Sequence, residues 1–295
     1  MTEKLRGVLT ALATPFDNDG GVDSTLLATL VDRSISGGVD GVVACGSTGE
    51  FATLTGEERI ALVDEVVSHT AGRVPVIAQT GATTTREAIR LSRAAQTSGA
   101  DVLMLVTPYY EPLTLEETVA YIKDVAAAVD LPVMLYNIPA ATGVNLDADT
   151  AGRLAREVDS IKYIKDSSAN WEQALALIHQ HGDVIDTFIG WDSYIYSALV
   201  EGAAGVMAGA ANVVPSEIVA VGRAISAGDL VGALELWKKL YPVIDAMISE
   251  PFMPAVKAGL ALQGVPIGGP VAPTSPLEDD AVARLGATLH ALAQG

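Results

Sequence analysis

The sequence predicts an α/β fold, a (β/α)8 TIM barrel with a C-terminal three-helix appendage, on three observations. Short runs rich in Val, Ile and Leu alternate with longer amphipathic segments, glycines recur between a helical segment and the next apolar run, and the strand signals stop after residue 225. Alternating strands and helices are typical of parallel α/β folds. We therefore expect a barrel domain over residues 1–225 and a helical region over residues 226–295, with a doubly wound sheet as the alternative.

The predicted strands are continuous apolar runs, as expected for strands covered on both faces of a parallel sheet. In chain order they cover residues 7–13, 41–45, 74–79, 101–106, 132–136, 161–165, 187–190 and 205–208.

The predicted helices carry start and stop signals. Three of them begin with a threonine followed three residues later by a glutamate, at residues 55–58, 84–87 and 114–117, which is the pattern of a capping box. Glycines in the segments 36–41, 98–101 and 201–205 end a helix and lead into the next strand. The three C-terminal helices are predicted over residues 229–248, 251–263 and 277–294.

Composition disfavours several classes of partner. A formal net charge of −18 disfavours nucleic acid, which is held mainly by Lys and Arg, and anionic membrane surfaces. We find no apolar run long enough to span a bilayer and no secretion signal. The single cysteine, Cys45, fits a reducing compartment, so we expect a cytoplasmic protein.

The sequence also lacks the usual cofactor motifs. No glycine-rich dinucleotide or P-loop motif follows a strand. The four histidines are not spaced to face one another on a helix. We therefore expect neither a metal nor a cofactor.

Lys165 is the strongest candidate for a catalytic residue. It stands near the end of the apolar run 161–166, and active sites of such barrels lie at the C-terminal ends of the strands. A lysine amine removed from water can attack a ketone and form a Schiff base, which acts as an electron sink. The alternative is an edge-strand lysine whose ammonium reaches solvent.

Other strand ends carry hydroxyls and phenols. The segment 46–50, Gly-Ser-Thr-Gly-Glu, suits a small carboxylate, or it is an ordinary turn whose Ser47 and Thr48 cap the next helix. Tyr136 has the inward parity of Met134, so it is a proton shuttle or a packed core residue. Tyr110 follows Tyr109 in a loop that fits either the site or a subunit contact.

These motifs, in this order, resemble the dihydrodipicolinate synthase / N-acetylneuraminate lyase family of class I, pyruvate-handling aldolases. The resemblance extends over nearly the whole chain and is carried by residues 13–16, 46–50, 109–110, 136–139, 165–166, 190 and 205–209.

The resemblance implies a role for each matching residue. Lys165 forms the Schiff base with a 2-keto acid, Tyr136 moves protons, and Ser47 and Thr48 hold the carboxylate. Thr48 also links Tyr136 to Tyr110, which commonly crosses from a neighbouring subunit. Gly190 and Met207 lie beside the Schiff base. The family implies a homotetramer, built as a dimer of dimers, with no cofactor or metal.

Departures from the family pattern bear on the substrate. Ala141 stands where the synthase branch carries an arginine for the carboxylate of the second substrate, which disfavours aspartate semialdehyde. Asp192 matches the sialic acid lyase branch, but the glutamate that follows it there is missing. The closest motif match is to the 2-keto-3-deoxy sugar acid aldolases. Ala141 and Trp191 also suggest a roomy, partly apolar pocket for an aromatic or short aliphatic aldehyde.

We therefore expect a lyase that cleaves a 4-hydroxy-2-keto acid to pyruvate and an aldehyde, or makes one from them. Three alternatives stay open. They are 4-hydroxy-tetrahydrodipicolinate synthase, disfavoured by Ala141; a 2-keto-3-deoxy acid dehydratase; and a non-catalytic 2-keto acid sensor.

Overall fold

The computed structural model describes residues 4–17 and 19–294 of the chain. Within them, eight parallel strands form a closed barrel in chain order, and the first strand pairs with the last. The barrel prediction is confirmed. The strands are β1 (Gly7–Ala11), β2 (Gly41–Ala44), β3 (Val76–Gln79), β4 (Val102–Val106), β5 (Val133–Asn137), β6 (Ile161–Asp166), β7 (Asp186–Ile189) and β8 (Gly205–Ala208).

Helices connect the strands and cover the outside of the barrel. They are α1 (Ser24–Ser36), α2 (Gly56–Thr70), α3 (Thr85–Ser98), α4 (Leu115–Ala126), the one-turn α5 (Pro139–Thr142), α6 (Ala148–Glu157), α7 (Trp171–Gln180), α8 (Ile195–Val200) and α9 (Pro215–Ser226). Short 3₁₀ turns follow β2, β7 and β8 at Phe51–Thr53, Asp192–Tyr194 and Ala210–Asn212.

The threonine start signals work as predicted at three helices. Thr55 and Thr114 form complete capping boxes with Glu58 and Glu117 at the starts of α2 and α4. Thr84 caps α3 by accepting a hydrogen bond from the Glu87 N–H. Such caps satisfy backbone donors that a helix start otherwise leaves without partners.

Three further helices follow the barrel, as predicted: α10 (Leu230–Ile248), α11 (Phe252–Leu262) and α12 (Asp279–Gln294). α10 packs against α9 and α12, and α11 packs against α12 and the 3₁₀ turn after β8. The predicted boundary after residue 225 falls at the end of α9, and its use as a domain boundary stays a prediction. The start of α11 reaches the C-terminal end of the barrel.

The barrel interior is packed with large apolar side chains. Met134 and Phe188 are fully buried, and Tyr163 meets Phe188 edge-on at 6.1 Å between ring centroids. Side chains alternate along a strand, so the same parity brings Tyr136, Lys165 and Gly190 to the upper end of the interior. None of the helices in the described part of the chain is long and apolar enough to cross a membrane.

Candidate active site

A cavity of about 290 Å³ opens at the C-terminal end of the barrel. The structure brings most of the predicted site residues together on its wall, which is lined by Ser47, Thr48, Tyr136, Lys165, Gly190, Trp191, Asp192 and Met207. These residues come from five strands or the loops after them, which is the usual way a barrel assembles an active site.

Lys165 is buried at the upper end of β6, with 5 % of its surface exposed. Its Nζ lies 4.2 Å from the centroid of the Tyr136 ring. The barrel is closed, so β6 is not an edge strand. The alternative of an edge-strand lysine that reaches solvent is therefore wrong.

The hydroxyl beside Tyr136 is that of Ser47. Ser47 Oγ and Tyr136 OH lie 3.2 Å apart, within hydrogen-bond distance, and either can donate. The expected link between Tyr136 and Tyr110 through Thr48 stays a prediction, and Thr48 Oγ1 lies next to Gly209. The turn after β2, where Cys45 has a φ of +58°, breaks the strand alternation. The carboxylate-binding role of Thr48 stays a prediction.

The turn that carries Ser47 does not cap the next helix. The N-cap of α2 is Thr55, so the interpretation of Ser47 and Thr48 as capping residues is wrong. The turn is held instead by its own backbone, since the Gly49 and Glu50 N–H groups donate to the carbonyls of Gly46 and Ser47 at 3.0 Å.

Gly190 lies against the lysine side chain. A Cβ at this position would lie 2.4 Å from Lys165 Cε and 2.2 Å from Ser167 Oγ. Only a glycine fits here without displacing Lys165. Met207, on β8, is buried on the same wall of the cavity.

Asp192 is the buried first residue of the 3₁₀ turn after β7 and accepts a hydrogen bond from the Ala210 N–H at 2.8 Å. Burial raises the pKa of its carboxyl to about 6, although the Ala210 and Gly209 N–H groups and the charge of Lys165 oppose the rise. Asp192 thus connects the loops after β7 and β8 beside Lys165. Its role as a substrate ligand stays a prediction.

Two predicted residues lie outside this cavity. Tyr110 is 83 % exposed, and its expected crossing into a neighbouring subunit stays a prediction. Ala141, on α5, lines an adjoining cavity of about 290 Å³ together with Phe51 and Tyr109, whose rings meet edge-on at 5.4 Å. Ser47, Ile138 and Met253 line both cavities.

Sequence reasoning missed several residues of the wall. Ser167 shares the inward parity of Lys165, so strand alternation could have identified it. Ile248, Phe252 and Met253 come from the C-terminal helices, and no local pattern places these helices over the barrel. They give the outer part of the cavity an apolar wall beside Trp191. Within the described part of the chain, no group of three or more His, Cys, Asp or Glu residues is placed to hold a metal ion.

Comparison with known proteins supplies the family context. The model of the dihydrodipicolinate synthetase family matches residues 4–292. The 4-hydroxy-tetrahydrodipicolinate synthase of Pelobacter propionicus is 40 % identical over 284 residues, covering 96 % of this chain and 97 % of that protein. The synthase of Bacillus subtilis is 35 % identical over 285 residues, covering 97 % and 98 %.

Solved structures of similar proteins have the same fold. YagE of E. coli K12, a prophage protein of the dihydrodipicolinic acid synthase family solved in complex with pyruvate, superposes with a TM-score of 0.94 at 33 % identity, covering 99 % of both chains. The chloride-inhibited dihydrodipicolinate synthase of Acinetobacter baumannii, also complexed with pyruvate, gives 0.94 at 36 % identity, covering 98 % of this chain and 99 % of that one.

Proposed function

The chain belongs to the dihydrodipicolinate synthetase family of pyruvate-dependent lyases, and from that premise we propose that it joins pyruvate to an aldehyde through a Schiff base on Lys165. The single observation that carries this proposal is the buried amine of Lys165 over the Tyr136 ring, on the wall of the main cavity. Lys165 is the only cationic residue among the described residues of that wall.

The covalent step begins at the ketone of pyruvate. The Lys165 amine attacks C2, the oxygen leaves as water, and an iminium forms. Loss of a C3 proton gives an enamine, whose C3 attacks the aldehyde carbon, and water then hydrolyses the iminium to release a 4-hydroxy-2-keto acid and the free lysine. The reverse sequence cleaves the same bond.

Tyr136 is the proposed proton carrier. Its hydroxyl lies 3.2 Å from Ser47 Oγ, so the two hydroxyls can pass a proton to and from the oxygen of the reacting substrate. Ser47 and Thr48 are the proposed ligands of the pyruvate carboxylate, since both line the cavity and carry hydroxyls in the turn after β2.

The relatives favour aspartate semialdehyde as the acceptor. The curated relatives are named 4-hydroxy-tetrahydrodipicolinate synthase at 35–42 % identity, and this supports the synthase interpretation over the more general aldolase expected from the sequence. We take the synthase reaction as the first candidate.

The acceptor side of the cavity supports a second candidate, an uncharged aldehyde. Trp191, Ile248, Phe252 and Met253 form its outer wall, and Ala141 adds no charge to the adjoining cavity. A second carboxylate would meet no cation among these residues and would lie in the same cavity as the buried carboxyl of Asp192. Leaving a buried charge without a partner is costly.

Three further expectations are carried as proposals. The enzyme works without a metal or cofactor, because the lysine itself supplies the electron sink. It assembles as a homotetramer in which the exposed Tyr110 reaches a neighbouring site. It works in the cytoplasm. Sedimentation of the wild type and of Tyr110→Ala tests the second of these.

The first experiment traps the Schiff base. Wild type and Lys165→Ala are treated with pyruvate and borohydride, and the intact mass is read. We expect one reduced pyruvate adduct on the wild type and none on the variant. Folded wild type without an adduct would refute the proposal.

The second experiment identifies the acceptor. Aspartate semialdehyde and a set of uncharged aldehydes are compared by kcat/KM with the wild type and Ala141→Arg. If the protein is a synthase, the wild type already prefers aspartate semialdehyde. If its acceptor is an uncharged aldehyde, only Ala141→Arg gains activity on aspartate semialdehyde. Loss of water from a 2-keto-3-deoxy acid without release of pyruvate would instead identify the dehydratase.

A further inference from the structure

A buried ion pair connects the C-terminal helices to the turn that carries Ser47. Glu50 Oε1 and Lys257 Nζ lie 2.7 Å apart, and their side chains are 1 % and 3 % exposed. Glu50 ends the Gly-Ser-Thr-Gly-Glu turn, with a φ of +57°, and Lys257 lies in the middle of α11. Neither residue lines the main cavity.

Each residue of the pair also has a backbone partner. Glu50 Oε2 accepts a hydrogen bond from the Val271 N–H at 2.8 Å, and Lys257 donates to the Gly269 carbonyl at 2.8 Å. Lys257 Nζ also lies 4.6 Å from the centroid of the Phe16 ring. The pair therefore binds the turn, the helix and the loop after α11 into one unit.

The two ends of the pair lie next to the two sides of the cavity. Glu50 is three residues after Ser47, and its N–H donates to the Ser47 carbonyl at 3.0 Å. Lys257 is four residues after Met253 and thus lies on the same helix face. Met253 lines the same cavity as Ser47, together with Phe252. A shift of the pair would move both walls relative to each other.

We infer that the Glu50–Lys257 ion pair is a positioning element for pyruvate, which sets the distance between the Ser47 turn and the start of α11. The inference rests on the proposed function, because it assigns the pair to the same pyruvate site. Stability alone explains such a pair poorly, since a buried ion pair is often no more stabilising than apolar residues of the same size. A positioning role explains why the Glu50–Lys257 pair lies between the Ser47 turn and α11.

The test uses Glu50→Gln, Lys257→Met and the double variant. Glu50→Gln keeps the length of the side chain, Lys257→Met shortens it by one atom, and both substitutions remove the charge. The readouts are the pyruvate concentration that gives half-maximal borohydride-trapped adduct and the midpoint of thermal unfolding. Leu285→Ala, in the buried core of α12, is the control for a loss of stability away from the cavity.

We expect each single variant to need at least about tenfold more pyruvate, which corresponds to about 1.4 kcal/mol of binding. The double variant should lie between the single variants and the wild type, because it leaves no buried charge alone. Leu285→Ala should unfold at a lower temperature and keep the wild-type pyruvate dependence.

Unchanged pyruvate dependence in folded single variants would overturn the inference and leave the proposed function intact. If a single variant does not fold, the double variant is the test. A double variant with the pyruvate dependence of the wild type would overturn the inference. A wild type that forms no adduct removes the proposed function and the inference together.

Discussion

Lys165 and Tyr136 are Cα partners on the neighbouring strands β6 and β5, and the amine of the lysine lies over the ring of the tyrosine. The strand register therefore fixes the distance between the proposed nucleophile and the proposed proton carrier. The register is set by backbone hydrogen bonds of the barrel, so the two groups stand side by side without a substrate. Preorganised groups of this kind do not need to be assembled during the reaction.

Removing the amine should cost far more activity than removing the phenol. We expect Lys165→Ala to lose all adduct formation, because the covalent route is gone. Tyr136→Phe keeps the ring over the amine and should lose about 10²–10⁴-fold in kcat, the range of one general acid/base. Single-turnover kinetics with pyruvate and an aldehyde measure both. Equal losses in the two variants would contradict the ranking.

The hydroxyl of Ser47 should matter for proton transfer more than that of Thr48. Ser47→Ala removes the group 3.2 Å from Tyr136 OH, and we expect kcat to fall about fivefold, since one hydrogen bond contributes on the order of 1 kcal/mol. Ser47→Thr keeps the hydroxyl and should retain most activity. Thr48→Ala is the comparison, since it removes a proposed carboxylate ligand, and a larger fall in kcat there than in Ser47→Ala would assign the link with Tyr136 to Thr48.

A methyl group at residue 190 should displace the lysine. Gly190→Ala puts a Cβ at 2.4 Å from Lys165 Cε, closer than real contacts allow, so adduct formation should fall by at least about 10²-fold, as misplacement by about 1 Å does in other enzymes. Gly222→Ala on α9 is the matched control, because its Cβ would meet nothing closer than 3.6 Å. A wild-type adduct rate in Gly190→Ala would show that the lysine has room to move.

Asp192 should make stability depend on pH. Burial raises the pKa of its carboxyl from 3.8 to about 6 in the folded state, so the folded protein holds a proton that the unfolded chain has lost. The wild type therefore loses stability as pH rises through this window. We expect the free energy of unfolding of the wild type, relative to Asp192→Asn, to fall by roughly 3 kcal/mol between about pH 3.5 and 7.

Urea unfolding of both proteins at a series of pH values measures this difference. Asp64→Asn makes the same change on an exposed position of α2 and serves as the control. If the free energies of unfolding of the wild type and Asp192→Asn differed by the same amount at every pH, the pKa of Asp192 would not be raised in the folded protein.

The barrel could be predicted from the sequence because its strands are buried on both faces. The apolar runs over 161–165 and 205–208 match β6 and β8 to within one residue. The run over 7–13 extends beyond β1, which ends at Ala11. Leu12 is still buried after the strand ends, so its hydrophobicity reports burial and not strand pairing.

The site could be predicted only where strand alternation holds. Lys165 and Tyr136 lie within strands, so the position of Lys165 near its strand end and the parity of Tyr136 both predicted the cavity that the two residues line. Ser47 and Thr48 follow Cys45, whose left-handed backbone turns the chain, and parity carries no information beyond that point. Phe252 and Met253 reach the cavity through the packing of α11 on the barrel, which depends on contacts between residues distant in sequence.

The pairing of β1 with β8 has a consequence for synthesis of the chain. The register joins Val8 to Val206 and Leu9 to Met207, so the edge of β1 that faces away from β2 stays unpaired until almost all of the barrel has left the ribosome. During that interval β1 is an open edge whose backbone groups can pair with another chain. We expect the newly made N-terminal half to be the part of this protein that chaperones hold.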